Sequence, residues 1–274
     1  MTPLWCVLVS LAAAGEVSPA AAALVPAPTI AAFDDRLTLS PGKGLTVKST
    51  DGTFSITLRA RVQVRETFTH EVVDTNELNI KTMRFTVQGN VLAPELKYLV
   101  QLAFGTGDYE AGNASPLFDA WVEYTKLRDL NVRVGQFFVP FDRARTVRES
   151  GLQFIDRQIA VRELTLDRDV GLMVSSADLF GLNQWLAYNL FIGGGDGRNR
   201  LGGQVLGPLL VARVAVRPFG SFDDDSEGDL QREPRPRLSL GVAGAWNVHT
   251  NRAQSTFGTT LTLGTFDTLH AAVR

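Results

Sequence analysis

The stretch FSITLRARVQVRET, residues 54–67, alternates two kinds of side chain along its length. Its even-numbered positions up to Val64 are apolar, whereas the odd-numbered positions include Arg59, Arg61 and Arg65. Because successive side chains of a strand point to opposite faces, the stretch predicts a β-strand with one apolar face and one basic face. What each face contacts decides the class of protein.

The same two-residue period recurs along most of the chain. It predicts eleven strands, near residues 53–67, 81–92, 96–105, 117–125, 130–137, 168–176, 184–193, 208–217, 236–248, 255–264 and 267–274. Arg84, Arg133 and Arg213 fall on the polar parity of their strands. The sequence therefore predicts an all-β, antiparallel fold in which one face of the sheet is polar.

Strand length and connections favour a transmembrane barrel over a soluble sandwich. Strands of roughly ten residues are long enough to cross a bilayer at a tilt. Short connections at 93–96, 126–129 and 264–267 alternate with long ones at 68–80, 106–116, 138–167 and 194–207, as in outer-membrane barrels; 218–235 is an exception. We therefore predict a transmembrane antiparallel β-barrel, and a secreted, soluble β-sandwich that binds or hydrolyses carbohydrate stays open as the alternative.

Composition and the first residues point to export. The 274-residue chain has a formal net charge of −2, which argues against a nucleic-acid-binding protein. The single cysteine, Cys6, lies in the apolar stretch LWCVLVSLAAAG, which predicts a signal peptide over residues 1–32 with cleavage between 23 and 32. Residues 33–274 are then predicted to form one barrel domain in the bacterial outer membrane.

Arginine accounts for most of the positive charge, since only five of the 27 basic residues are lysines. Fixed positive charges lining a pore replace part of the hydration that an anion loses. The polar-face candidates for the pore wall are Arg59, Arg61, Arg65, Arg84, Arg133 and Arg213. The alternative is that they pair with carboxylates and keep the wall solvated. A tight turn at 126–129 would place Trp121 opposite Arg133, where the two side chains could stack, with Asp119 and Glu123 diagonal to the arginine.

A longer stretch carries a family resemblance. VRVGQFFVPFDRARTVRESGLQFIDRQIAVRELTLDRDVGLMV, residues 132–174, resembles the phosphate-selective porin O and P family in its ordered Val-Gly-Gln-Phe, Pro-Phe, Phe-Ile-x-Arg and Arg-x-Val-Gly series. The strand–hairpin–strand segment at 83–105, LFDAWVEY at 117–124 and NLFIGGGDGRN at 189–199 are also similar to that family. The resemblance implies a homotrimeric barrel of about sixteen strands that passes small anions passively.

The resemblance also implies that residues 138–167 form a third loop, folded into the lumen to narrow the pore. Within it, Arg143 and Arg145 are predicted to contact permeant anions. Arg157 and Arg168 are predicted to anchor the loop to the wall through Asp156, Asp167 or Asp169. The loop contains no lysine, so a preference for phosphate or polyphosphate over chloride is left open.

Eleven strands are fewer than sixteen, and the chain ends in LHAAVR without a terminal aromatic residue. We therefore expect a barrel truncated at the C-terminus. The nearest alternative function is a general porin of the same fold with low selectivity. We expect no enzymatic activity and no cofactor; the expected partners are phosphate, chloride, outer-membrane lipid and other copies of the chain. GGGDGRN, residues 193–199, predicts a flexible surface turn.

Overall fold

The structure is a computed structural model and describes residues 37–110, 115–199, 207–222, 226–229, 232, 234–254, 256–261 and 264–273. The predicted signal peptide, residues 1–32, lies outside these ranges. The chain divides into two compact units, Met1–Tyr109 and Glu110–Arg274. The fold is all-β, as predicted: twelve strands are arranged as antiparallel sheet, five in the first unit and seven in the second.

The strands of the first unit follow one another in an up-and-down order. They are β1 (Leu37–Ser40), β2 (Gly44–Lys48), β3 (Ser55–Thr69), β4 (Thr75–Val91) and β5 (Ala93–Ala103). The short strands β1 and β2 were not predicted. Across all five strands, one row of leucines and valines lies in register: Leu39, Leu45, Leu58, Val87 and Val100.

Strand β4 begins earlier than the predicted start at residue 81, because a bulge at Lys81 interrupts the two-residue period. Gln63 pairs with Thr82, but the next residue of β3, Val64, pairs with Ile80. The extra residue moves the apolar side chains of β4 from odd to even positions. The sequence pattern therefore predicted that the strand begins at the bulge, although the pairing of β4 with β3 begins at Thr75.

Seven strands of the second unit form its sheet. They are β6 (Leu117–Leu127), β7 (Leu130–Phe138), β8 (Arg168–Ser176), β9 (Leu186–Gly193), β10 (Leu209–Val216), β11 (Leu240–Thr250) and β14 (Phe266–Val273), in that spatial order. The strand predicted at 255–264 is confirmed only in part. Within the described residues of that stretch, β13 (Phe257–Thr260) is extended, but it pairs with β12 (Arg252–Gln254) in a separate hairpin, while β14 pairs directly with β11.

Helices are short. The α-helices are α1 (Arg143–Thr146) and α2 (Ile159–Leu164), and 3₁₀ turns cover Thr106–Asp108, Glu149–Gly151 and Leu179–Gly181. In the ranges that the structure describes, no helix has the length and apolar character needed to span a membrane. Both of these α-helices belong to the connection between β7 and β8, so the long loop predicted at 138–167 contains most of the helical structure among the described residues.

The apolar face of the second sheet is the exposed one. One row of side chains in register crosses all seven strands: Val122, Val134, Leu172, Ile192, Leu210, Trp246 and Leu269. Each of the seven is between 39% and 83% exposed. On the other face of β10, by contrast, Val211 is only 4% exposed. A sheet in water normally turns polar side chains outward, so a continuous apolar row on the exposed face is unusual.

Candidate functional site

The polar face of the first unit carries the predicted row of arginines. Arg59, Arg61 and Arg65 lie on one face of β3 and are half-buried. Arg59 donates from Nε to the carbonyl oxygen of Lys43 at 2.9 Å, and Arg61 donates to Oε1 of Gln63 at 3.4 Å. The Arg59 contact is made with a neutral carbonyl group, so it leaves the positive charge of that guanidinium in place.

Arg84 of β4 lies directly opposite Arg61 in the strand register. Two like charges at this spacing repel each other. Arg84 is neutralised by Asp108, which follows β5: Nε and Nη2 of the arginine lie 3.0 and 2.5 Å from one carboxylate oxygen. The Asp108 side chain is 1% exposed, so Arg84 is part of a buried ion pair as well as of the polar face.

In the second unit, Arg133 of β7 pairs with an acidic residue on the neighbouring strand. The predicted register was wrong by one pair of residues on the same face: Arg133 lies opposite Glu123, and Trp121 lies opposite Gly135. The register differs because β6 extends to Leu127 and contains an irregularity between Tyr124 and Leu127. Nη2 of Arg133 is 3.0 Å from Oε1 of Glu123. The predicted stacking is confirmed, with the guanidinium 4.2 Å from the centre of the Trp121 ring.

The loop between β7 and β8 packs against the polar face of its own sheet. Val139, Phe141 and Leu166 of the loop are at most 4% exposed. They form one apolar cluster with wall residues of the same face, namely Met173, Phe191, Val211, Ala243 and Ala245. The two ends of the loop are joined where the Val139 amide donates to the Asp167 carbonyl oxygen at 3.0 Å. Burial of these apolar side chains holds the loop over the face that carries Arg133 and Arg213.

Arg168, the first residue of β8, links strands and loop. Its Nε and Nη2 lie 2.8 and 3.1 Å from the two carboxylate oxygens of Asp119 on β6. Its guanidinium lies 3.6 Å from the ring centres of both Phe118 and Phe138. Arg168 also contacts Asp167 at 3.4 Å. Asp169, the third predicted anchor partner, instead accepts hydrogen bonds from the backbone amides of Val170 and Gly195.

Arg145, predicted to contact anions, forms a two-contact ion pair with Asp167, at 3.0 and 3.2 Å. Burial alone would raise the pKa of the Asp167 carboxyl, but the positive charges of Arg145 and Arg168 outweigh that effect and hold its pKa below the ordinary value. The charged carboxylate of Asp167 therefore links Arg145 of the loop to Arg168 of β8 through two ion pairs.

Arg157 stabilises the loop through hydrogen bonds to the backbone of the same loop. It donates to the carbonyl oxygens of Ala144 and, at 2.6 Å, Val147, which lie in and just after α1. Burial, followed by the neighbouring charge of Arg145, lowers the pKa of the Arg157 guanidinium. The predicted carboxylate partners are replaced by these backbone carbonyls, because the last turn of a short helix leaves such oxygens without partners inside the helix.

Arg143 and Arg213 both line one small pocket that is open to solvent. Arg213 comes from the middle of β10 and Arg143 from α1; the other lining residues are Phe141, Asp142, Gly241, Val242, Ala243 and Ala272. Arg143 also donates from Nη2 to the carbonyl oxygen of Ser226 at 2.8 Å. Two of the predicted anion-contacting arginines are therefore brought together, although 70 residues of sequence separate them.

A buried charge cluster was missed by the sequence reading. Arg198 and Arg252 both contact Glu110, with 3.3 Å between Arg198 Nε and a carboxylate oxygen. The two arginine side chains are 7% and 1% exposed. Glu110 and the two arginines are widely separated in sequence, and no spacing pattern connects them.

The GGGDGRN turn, residues 193–199, is partly buried, so its prediction as a surface turn is wrong. The Gly195 amide donates to Asp169 at 2.6 Å, and Asn247 donates to the Gly195 carbonyl oxygen at 2.9 Å. Gly197 has a φ of +88°, and a Cβ there would overlap the carbonyl oxygen of Thr256. The glycines allow close backbone approach as well as the turn itself.

Comparison with known proteins adds no assignment. No protein-family model matches the chain, and no curated protein matches it. Within the described ranges, no group of three or more histidine, cysteine, aspartate or glutamate side chains is arranged to hold a metal ion.

Proposed function

We propose that the protein is an outer-membrane porin whose strands form a transmembrane β-barrel and whose arginine-bearing face lines a water-filled pore for small anions. The observation that carries the proposal is the row of seven exposed apolar side chains across β6 to β14. A continuous apolar surface of this width is unfavourable in water, and lipid is the solvent that it matches.

The next row on the same face supports the proposal. It runs through Tyr124, Val132, Val174, Leu190, Ala212, Gly244 and Ala271 and contains no charged residue. An arginine in such a row at the middle of a bilayer would cost about 2–4 kcal/mol. Arg133 of β7 and Arg213 of β10 lie on the opposite parity, where a polar lumen would solvate them.

Anion transport is proposed from the character of that polar face. The first unit contributes Arg59, Arg61 and Arg65 on one face of one strand. Such a ladder attracts phosphate or chloride and binds it loosely enough for release. In the second unit, the loop at 138–167 packs on the same kind of face and is proposed to narrow the pore, with Arg143 and Arg213 beside the constriction.

Reconstitution into planar bilayers tests the proposal. In a salt gradient, the reversal potential is expected to indicate preference for chloride over potassium. Cation preference, or no channel activity from protein that fractionates with outer membranes, would contradict it. A soluble β-sandwich, the alternative class, would be released from membranes by a carbonate wash.

A general porin of low selectivity is the second candidate, favoured by the ion pairs. Arg84, Arg133 and Arg145 each contact a carboxylate of their own unit, which reduces the net positive charge of the polar face. Millimolar phosphate distinguishes the two candidates: it should reduce chloride current through an anion-binding pore and leave the current of a general porin unchanged.

A further inference from the structure

We propose that residues 226–229, which we call the strap, dock on the third loop and act as a second selectivity element, with Glu227 opposing anion passage beside Arg143. This inference rests on the proposed porin function. It concerns the segment between β10 and β11, which was the exception to the predicted pattern of short turns on one side of the barrel.

The strap and the loop start from opposite ends of the strands. The β7–β8 loop leaves the end of the sheet where Phe138 pairs with Arg168. The β10–β11 segment starts at the other end, where the Arg217 amide donates to the Trp185 carbonyl oxygen at 2.8 Å. Contact between them therefore requires at least one of the two to extend along the sheet.

Backbone and side-chain hydrogen bonds join the strap to the loop. The Glu227 amide donates to the Gly151 carbonyl oxygen at 2.7 Å, and Oε2 of Glu227 accepts from the Gln153 amide at 3.1 Å. Ser226 accepts from Arg143 through its carbonyl oxygen at 2.8 Å. Three hydrogen bonds from two consecutive strap residues define a specific contact rather than a chance approach of two surface loops.

The contact lies beside the pocket shared by Arg143 and Arg213. The strap fixes Arg143 through the Ser226 carbonyl, and the Glu227 carboxylate follows one residue later in the chain. A carboxylate in this position lowers the positive potential of the third loop, where its charge acts on Arg157. The strap thus positions Arg143 and offsets part of the positive charge of the loop.

The electrical test is Glu227→Gln, which removes the charge and keeps an oxygen that can accept from Gln153. The anion-to-cation permeability ratio from reversal potentials should rise by roughly two- to fivefold, as expected when one nearby unit charge is removed. Glu71→Gln is the matched control, since Glu71 is exposed in the loop between β3 and β4. If both variants change the ratio equally, the strap proposal is wrong, even if the wild-type channel is anion-selective.

The docking itself is tested without any current. In a Cys6→Ser background, Gln153→Cys and Gly228→Cys should be joined by a short bismaleimide in isolated outer membranes; a Cβ at Gly228 has open space around it. Gln153→Cys alone, treated in the same way, is the control for non-specific crosslinking. Absence of the specific crosslink overturns the strap, whereas a crosslinked protein with cation preference or no conductance overturns the porin function and the proposed role of Glu227.

Discussion

Arg59 on β3 and Arg168 on β8 are both on the sheet, yet their surroundings differ. Arg59 is half-buried and donates to a backbone carbonyl, whereas the Arg168 side chain is 3% exposed, pairs with Asp119 and lies between two phenylalanine rings. A buried arginine needs a carboxylate and an aromatic enclosure to offset its lost hydration, and a solvated one does not. The comparison separates arginines that hold the fold together from arginines that are available to act on a passing ion.

The largest effect is expected from breaking the Arg168–Asp119 pair. Arg168→Met leaves the Asp119 carboxylate in a mostly buried site without its cation and should cost about 3–5 kcal/mol of stability. The measurement is the urea midpoint of unfolding in detergent. Adding Asp119→Leu to Arg168→Met removes the orphaned charge and should recover part of the loss. Equal stability of the single variant and the wild type would contradict a structural role for Arg168.

Inverting the arginine ladder of β3 should have a large effect on selectivity and a small one on stability. Arg59→Glu with Arg61→Glu is expected to change the anion-to-cation permeability ratio by about tenfold or more, because four units of charge change along the proposed pore wall. The matched control is Lys126→Glu with Arg128→Glu, which makes the same charge change at the exposed end of β6 and the turn after it. If the control shifts selectivity as much as the ladder variant, the ladder does not line the pore.

The sequence was sufficient to predict the faces but not the partners. Parity alone put Arg59 and Arg133 on the polar face, since the two-residue period of a strand is geometric. Parity could not show that Asp119 would pair with Arg168 rather than lie near Arg133. That choice depends on the irregularity of β6 before Leu127 and on a contact between residues 49 positions apart in the sequence. Long-range pairs of this kind need the assembled sheet.

Strand boundaries failed for similar physical reasons. The bulge at Lys81 switches the parity of β4, so an alternating pattern ends there while the backbone pairing continues. In the same way, β13 has strand-like sequence but pairs with β12, because β14 already occupies the edge of β11. In both places, tertiary pairing decided the outcome between locally similar alternatives.

Lowering the pH should weaken the ion pairs of Asp167 before it affects the arginines of β3. The pKa of Asp167 is lower in the folded protein than the ordinary value of about 4, so its stabilising contribution is complete above that value. As the pH falls further, through the folded pKa, the carboxyl is protonated and the contribution is lost. Asp167→Asn should therefore flatten the decline of the urea midpoint below about pH 4 relative to the wild type. If the urea midpoint of the variant declines below about pH 4 as steeply as that of the wild type, the Arg145–Asp167 pair does not contribute to stability.

The smallest expected effect separates charge from stacking at Arg133, which combines features of the two arginine environments. Its side chain is 25% exposed, pairs with Glu123 and covers the Trp121 ring. Arg133→Lys keeps the charge for Glu123 but replaces the planar guanidinium, so the loss of stacking should cost about 0.5–1 kcal/mol. Trp121 fluorescence should shift to longer wavelength as water reaches the ring, while reversal potentials stay unchanged because the charge is conserved. A changed selectivity with an unchanged spectrum would instead assign Arg133 to the solvated group represented by Arg59, and its contact with Trp121 would then have no structural role.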